Sequence, residues 1–180
     1  MPESSSENGF LKIQLRRQSA GFRYAKEINP SKGFYGDAVE EALCFGWIDS
    51  TCKTVDGRVL QRFTPRQKKN SNWTELNRER CRRLIKIGAM TQHGKRVMPK
   101  HKFRIMPEVK AAFRKHPKAW KNFRSFPELY QRVRIDKLHF FLKYKRHNDY
   151  EINLKRLIEA SEKGVMIGYW HDFGRLLEDN

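Results

Sequence analysis

Cysteine is scarce in this chain, and its three cysteines do not pair. Cys44, Cys52 and Cys81 form an odd set without CxxC or any other paired spacing. That excludes a disulfide scaffold, argues against zinc and fits a reducing compartment. Cys44 falls on an apolar helix stripe and Cys52 on the inward face of a hairpin, so buried, inert thiols are expected. There is no apolar run of 18 residues, and MPESSSENG lacks both a basic n-region and an apolar h-region. No membrane span and no standard export signal are expected, which predicts a cytoplasmic location. The catalytic signatures are missing too: no glycine-rich phosphate loop and no GxSxG. Glu40 and Glu41 are adjacent and point in different directions on a helix, so they make a poor acid–base pair. His93, His101, His116, His139, His147 and His171 lack metal-ligand spacing and lie mostly among lysines and arginines, as surface residues would. No cofactor and no metal are expected, and an enzyme of unknown reaction is the least supported class.

Acidic residues are also in short supply, with 20 Asp+Glu against 38 Lys+Arg and a net charge of +18. The imbalance is local. Residues 1–57 carry 7 bases and 8 acids, and residues 125–180 carry 10 and 9. The excess lies in residues 58–86, with 10 against 2, and 95–124, with 11 against 1. A polyanion-binding surface would produce this distribution.

The apolar residues that remain describe a fold. Hydrophobic content of 38% with 12% aromatic residues suits a folded chain. Ala38, Val39, Ala42, Leu43 and Phe45 make a helical stripe, and Gly46 stands where a helix end needs a left-handed residue. Trp47–Val55 and Arg58–Thr64 flank Asp56-Gly57, a strong hairpin signal. Pairing outward from Val55 and Arg58 puts Ile48, Ser50, Cys52, Thr54, Val59, Gln61 and Phe63 on a buried face. Asp49, Thr51, Lys53, Leu60 and Arg62 fall on a charged one. Residues 9–18 are ambiguous between strand and helix. Residues 19–26 read as a strand able to join the hairpin. Asn72 with Glu75 predicts a capped helix whose apolar face is Trp73, Leu76, Cys81, Leu84 and Ile87. Gly88 closes that helix, and Thr91 opens a short one ending before Pro99. Pro107, Pro117 and Pro127 stand at helix starts, where a missing N–H costs nothing. Asp149 would cap a last helix carrying Ile152, Leu157 and Ile158 and ending at Gly164. Trp170, Phe173 and Leu177 then recur at helical spacing.

The ordered runs EALCFGWIDS, LQRFTPR and SNWTELNRERCRRLIKIGAMT resemble the YdeI/OmpD-associated, or bacteriocin-protection, family. The resemblance continues more weakly to about Gly164. It implies a helical C-terminal module and tips residues 9–18 to helix. It also implies a link to antibacterial resistance and an outer-membrane porin, but no catalytic residue or cofactor. The expected fold is α+β, mostly α: a small antiparallel sheet with a hairpin at 47–64 and covering helices within 1–98, a basic linker at 99–105, a helical bundle over 106–164, and an aromatic tail at 165–180.

Two candidate sites follow. Asp49, Arg62, Arg66 and Trp73 could hold an anion, since arginine's planar fork donates paired bonds to phosphate or carboxylate. The competing reading is an Asp49–Arg62 cross-strand ion pair with Trp73 in the core. The second is a basic surface of Lys68, Lys69, Arg78, Arg82, Arg83 and Lys86, extended by Lys95–Lys102 and Lys110–Lys121. Interleaved Trp73, Phe103 and Trp120 suit it to nucleic acid, and the competing reading is a solvated face. The function class is a non-enzymatic, stress- or resistance-related binding protein, with nucleic-acid binding through residues 58–124 as the alternative. An acidic protein or lipid would use the same charges. The tail residues Trp170, Phe173 and Leu177 would either dock on the body or grip a partner protein.

Overall fold

The structure is a computed structural model that describes residues 20–23, 34–55, 58–67 and 72–177. The expected helix at 9–18, the Asp56-Gly57 turn, Lys68 and Lys69 lie outside the described residues. Among the described residues are three strands and seven helices, an α+β architecture that is mostly α. They divide into two compact units, Met1–Asn70 with Thr91–Val97, and Ser71–Met90 with Met98–Asn180. The helix starting at Glu75 thus belongs with the C-terminal helices, whereas the sequence boundary at 98–99 grouped it with the sheet.

In the first unit β1 (Ala20–Arg23), β2 (Trp47–Val55) and β3 (Arg58–Pro65) form an antiparallel sheet in the order β1-β3-β2. Helix α1 (Phe34–Cys44) buries Val39, Ala42 and Leu43 and ends at Gly46, whose φ is +74°. A Cβ there would also lie 2.5 Å from Val97 Cγ2, so glycine is required twice over. The hairpin register holds from Val55↔Arg58 to Cys52↔Gln61 and then shifts, so that Asp49 faces Phe63. Ser50 and Thr51 together oppose Arg62, which is the geometry of a β-bulge. Among the described side chains of the face expected to be buried, only Phe63 is deeply so. Ser50, Cys52 and Thr54 are exposed, as are Thr51 and Lys53 on the other face, so among the described residues neither face of this half of β2 is covered. Helix α3 (Gln92–Val97) starts at Thr91, whose hydroxyl accepts from Gly94 N at 3.1 Å while its N–H donates to the Cys44 carbonyl at 3.2 Å.

In the second unit α2 (Glu75–Lys86) is capped by Thr74 rather than Asn72, and the Thr74 hydroxyl accepts from Asn77 N at 3.2 Å. Cys81 and Leu84 are buried as the period predicts, but Ile87 is half exposed, since it lies at the C-cap past the last helical turn. Helices α4 (Pro107–Arg114) and α5 (Pro117–Ser125) start with their prolines, and α6 (Glu128–Lys143) follows Pro127. Helix α7 (His147–Glu162) starts after Arg146, with Asp149 in its first turn instead of at the cap. The core joins Val109, Phe113, Phe123, Tyr130, Leu138 and Leu157, each at most 2% exposed. Burial of side chains this size is worth about 1.5–3 kcal/mol apiece. Ile152 points away from this core and is largely exposed.

The tail docks, though not as a helix. Tyr169, Asp172 and Phe173 all have positive φ, so the helical spacing of its aromatics is coincidental. Trp170 and Leu176 are buried in the core cluster, with Trp170 edge-on to Tyr130 at 5.7 Å. Phe173 and Leu177 are exposed.

Candidate functional site

Asp49, Arg62 and Arg66 belong to the first unit and Trp73 to the second. The bulge takes Asp49 off the diagonal with Arg62, and Asp49 Oδ2 instead accepts from Tyr35 Oη at 2.7 Å. Arg62 is exposed and Arg66 is buried beside the end of β3, its N–H donating to the Gly46 carbonyl at 2.9 Å. Trp73 is buried, with the Arg78 guanidinium 5.9 Å from its ring centroid. In Cys44 burial, with Glu41 and Glu40 adding to it, pushes the thiol up to about 11, so it stays protonated at neutral pH.

The α2 part of the expected basic surface is largely neutralised. Glu75 is 2% exposed and meets Arg78 Nε at 3.3 Å, His101 Nε2 at 3.0 Å and Arg132 Nη1 at 3.4 Å. Arg132 also reaches Glu79 at 2.8 Å and Glu128 at 3.4 Å, and Arg82 pairs with Glu79 at 2.5 Å. Arg80 forks onto Asp172 at 2.8 and 2.7 Å and holds Asn77 Oδ1 at 2.8 Å, fastening the tail to α2. Asp136 of α6 accepts the Glu75 N–H at 3.0 Å, which puts a carboxylate at the positive end of α2. Burial raises Asp136 above the usual carboxylate range and, with Arg78, lowers His101. Every carboxylate here is met by cations or by a backbone N–H, so the cluster holds helices together and offers no open acid–base position. Arg78 therefore drops out of any accessible stripe, because it lies buried over Trp73 and Glu75. Arg82 and Lys86 are exposed, and Arg83 is half-buried.

The other basic block is arranged differently. Helices α4 and α5 turn Val109, Phe113, Ala119 and Phe123 inward, which leaves Lys110, Arg114, Lys115, Lys118, Lys121 and Arg124 exposed. Lys100, Lys102 and Arg104 are exposed just before them. Among the described residues none of these nine cations forms an ion pair, and Glu108 is the one carboxylate in the stretch. Trp120 lies half-buried within it, 5.3 Å from Phe113, with the Arg124 guanidinium 5.7 Å from its ring. Phosphates could be held along this face beside an aromatic surface. The histidines are not uniformly superficial: His139 is half-buried, stacks on Phe103 at 6.4 Å, and its Nε2 accepts the Met106 N–H at 3.2 Å.

Residues 102–164 match the family model described as Bacteriocin-protection, YdeI or OmpD-Associated. Residues 15–97 match a different model, described as a Domain of unknown function (DUF8412). The three runs that carry the sequence resemblance thus fall in the second match, while the weaker C-terminal stretch carries the first. Neither a curated protein nor a solved structure gave a match to the chain. No helix among the described residues is long and apolar enough to cross a membrane.

Proposed function

We propose that this chain, with its bacteriocin-protection domain at 102–164, is a non-enzymatic, resistance-related binding protein that holds polyanions on the basic face of α4 and α5. The observation that carries this reading is the contrast in pairing. Lys110, Arg114, Lys115, Lys118 and Lys121 keep their charge exposed with no carboxylate partner among the described residues, at the cost of mutual repulsion that a bound polyanion would relieve. Nucleic acid is the polyanion this face suits best, since Trp120 supplies an aromatic surface among the cations. Three free cysteines support action in the reducing cytoplasm.

The test is binding of fluorescent single- and double-stranded nucleic acid over a salt series, with Lys110→Glu/Lys118→Glu/Lys121→Glu alongside. Micromolar binding is expected, with a log–log salt slope that the triple variant reduces by about 0.9 per lost phosphate contact on duplex. Absence of binding at low salt, or a slope the variant leaves unchanged, would sink the reading. A partner protein gripping the tail is the second reading, favoured by Tyr169 and Phe173, which are 79% and 73% exposed and edge-on at 5.6 Å. That interaction would be insensitive to salt and lost in Phe173→Ala.

A further inference from the structure

A second cationic feature lies between α6 and α7, away from the α4–α5 face. Arg134, Lys137 and Leu138 occupy positions i, i+3 and i+4 of α6, and Asn153, Arg156 and Leu157 repeat that spacing on α7. Each triplet lies on one side of its helix. With Ile167 the six residues line a cleft of about 40 Å³. Leu138 and Leu157 are buried, while Arg134, Lys137 and Arg156 bring three positive charges to its walls and Asn153 an amide. A water needs on the order of 10–15 Å³ of such space, so the cleft accommodates a group of about three water-sized atoms. That is the scale of a small oxyanion.

The electrostatics agree with the geometry. Burial lowers Arg134 and Lys137 below their ordinary values. Arg156 lowers both further, at Arg134 by less than Tyr130 raises it, and Arg134 lowers Lys137. Asp149 opposes this at Lys137, but its carboxylate already accepts from Arg146 Nε at 2.8 Å. Arg134 is held in place by the Ile167 and Gly168 carbonyls, which accept from its Nη2, and lies over Tyr130 with 5.4 Å to the ring centroid. Those carbonyls take both Nη2 hydrogens, which leaves Nη1 and the buried, unpartnered Nε as donors for an anion, and a positioned guanidinium loses little entropy when one arrives.

We propose that the cleft between α6 and α7 is a binding site for a single phosphate-type oxyanion, held by Arg134, Lys137 and Arg156 with Asn153 as neutral donor. The anion is either inorganic phosphate or the phosphoryl group of a small phosphate monoester, and the chemistry at the cleft is the same for both. The site is independent of polyanion binding on α4 and α5.

Thermal unfolding of the full chain tests it, with inorganic phosphate, glycerol phosphate, and sodium chloride at matched ionic strength. At a phosphate concentration about 100-fold above Kd the midpoint is expected to rise by about 5–10 °C over the chloride control. Lys137→Gln/Arg156→Gln should abolish that rise, while Lys118→Gln/Lys121→Gln keeps it. Both Lys137 and Arg156 are exposed, so the first variant should fold, and circular dichroism verifies that it does. Amide resonances of residues 134–137 and 153–156 should move on phosphate titration of the unaltered chain, a readout that needs no variant. Half-saturation by glycerol phosphate at least tenfold below that by phosphate identifies a monoester as the ligand, and the reverse order identifies the free ion. A midpoint rise equal to that in chloride, or one unchanged by Lys137→Gln/Arg156→Gln, overturns the proposal.

Discussion

Helix α2 and the α4–α5 pair are both strongly basic, yet their charges do opposite work. On α2, Arg78, Arg80 and Arg82 are each bound to a carboxylate, two of them within the helix and Asp172 from the tail. On α4 and α5 the cations face solvent with Glu108 as their one acidic neighbour in the stretch. The difference comes from what packs against each helix. Helix α6 brings Arg132 and Asp136 to the start of α2, where Glu75 and Glu79 have drawn the arginines inward. Among the described residues the α4–α5 cations have no such partner, and the carboxylate that approaches, Glu162 of α7, lies 4.0 Å from His116 at their junction. A count of basic residues measures total charge, and only the placement of acids separates structural cations from available ones.

The largest effect expected from breaking this contrast is on the α2 side. Arg132→Ala removes a cation shared by Glu75, Glu79 and Glu128, leaves the 2%-exposed Glu75 to Arg78 and His101 alone, and should cost about 1.5–3 kcal/mol in urea unfolding. Lys118→Ala on the other face should stay within about 0.5 kcal/mol. A loss below 1 kcal/mol for Arg132→Ala would mean that Arg78 and His101 suffice to hold Glu75.

Next in size is binding. Charge reversal at Lys110, Lys118 and Lys121 should weaken nucleic-acid affinity by at least tenfold, whereas Arg82→Glu/Lys86→Glu should change it less than threefold. Equal losses would erase the distinction between the two blocks.

A smaller effect separates them by pH. Burial holds His101 and His139 below the ordinary 6.5, so the folded chain binds fewer protons there than the unfolded one. Stability from this source is complete above 6.5 and is lost as pH falls through 6.5 toward the lowered values. Protonated His139 can no longer accept the Met106 N–H. The slope of unfolding free energy against pH between 5 and 6.5 should therefore shrink in His101→Gln and in His139→Gln, by up to about one proton each. Asp136 works in the opposite sense at lower pH, because its raised value makes the folded state bind the proton first. An unchanged slope in both histidine variants would remove the imidazoles from the account.

The smallest expected change is Arg124→Ala, which removes an exposed cation–π contact with Trp120 worth about 0.5–1 kcal/mol. It should lower the melting midpoint by about 1–4 °C.

Much of the fold was legible because its signals are local. Gly46 ends α1, the hairpin pairs as counted from its turn as far as Cys52↔Gln61, and Pro107 and Pro117 open α4 and α5. Illegible features depend on distant packing. A bulge at Ser50 and Thr51 leaves no mark on an alternating pattern, yet it moves Asp49 away from Arg62 and onto Tyr35. Asn72 and Thr74 both suit a cap, and the choice turns on where α2 begins. Trp170, Phe173 and Leu177 have helical spacing, but three non-glycine residues of positive φ between positions 169 and 173 send Trp170 inward and Phe173 out.

For the candidate sites the division is sharper. The basic character of residues 58–124, the shortage of acids within it and the aromatic residues interleaved with it are properties of the chain's order alone. The sequence by itself therefore determined that a large positive charge would be concentrated in the middle third. Which of those charges stay available was decided by tertiary structure. Glu75 meets Arg132 across 57 positions, and Arg80 meets Asp172 across 92. The cleft of Arg134, Lys137 and Arg156 exists only because α6 and α7 lie side by side. A charge is neutralised or exposed according to what lies within a few ångströms, and distance along the chain does not encode that distance.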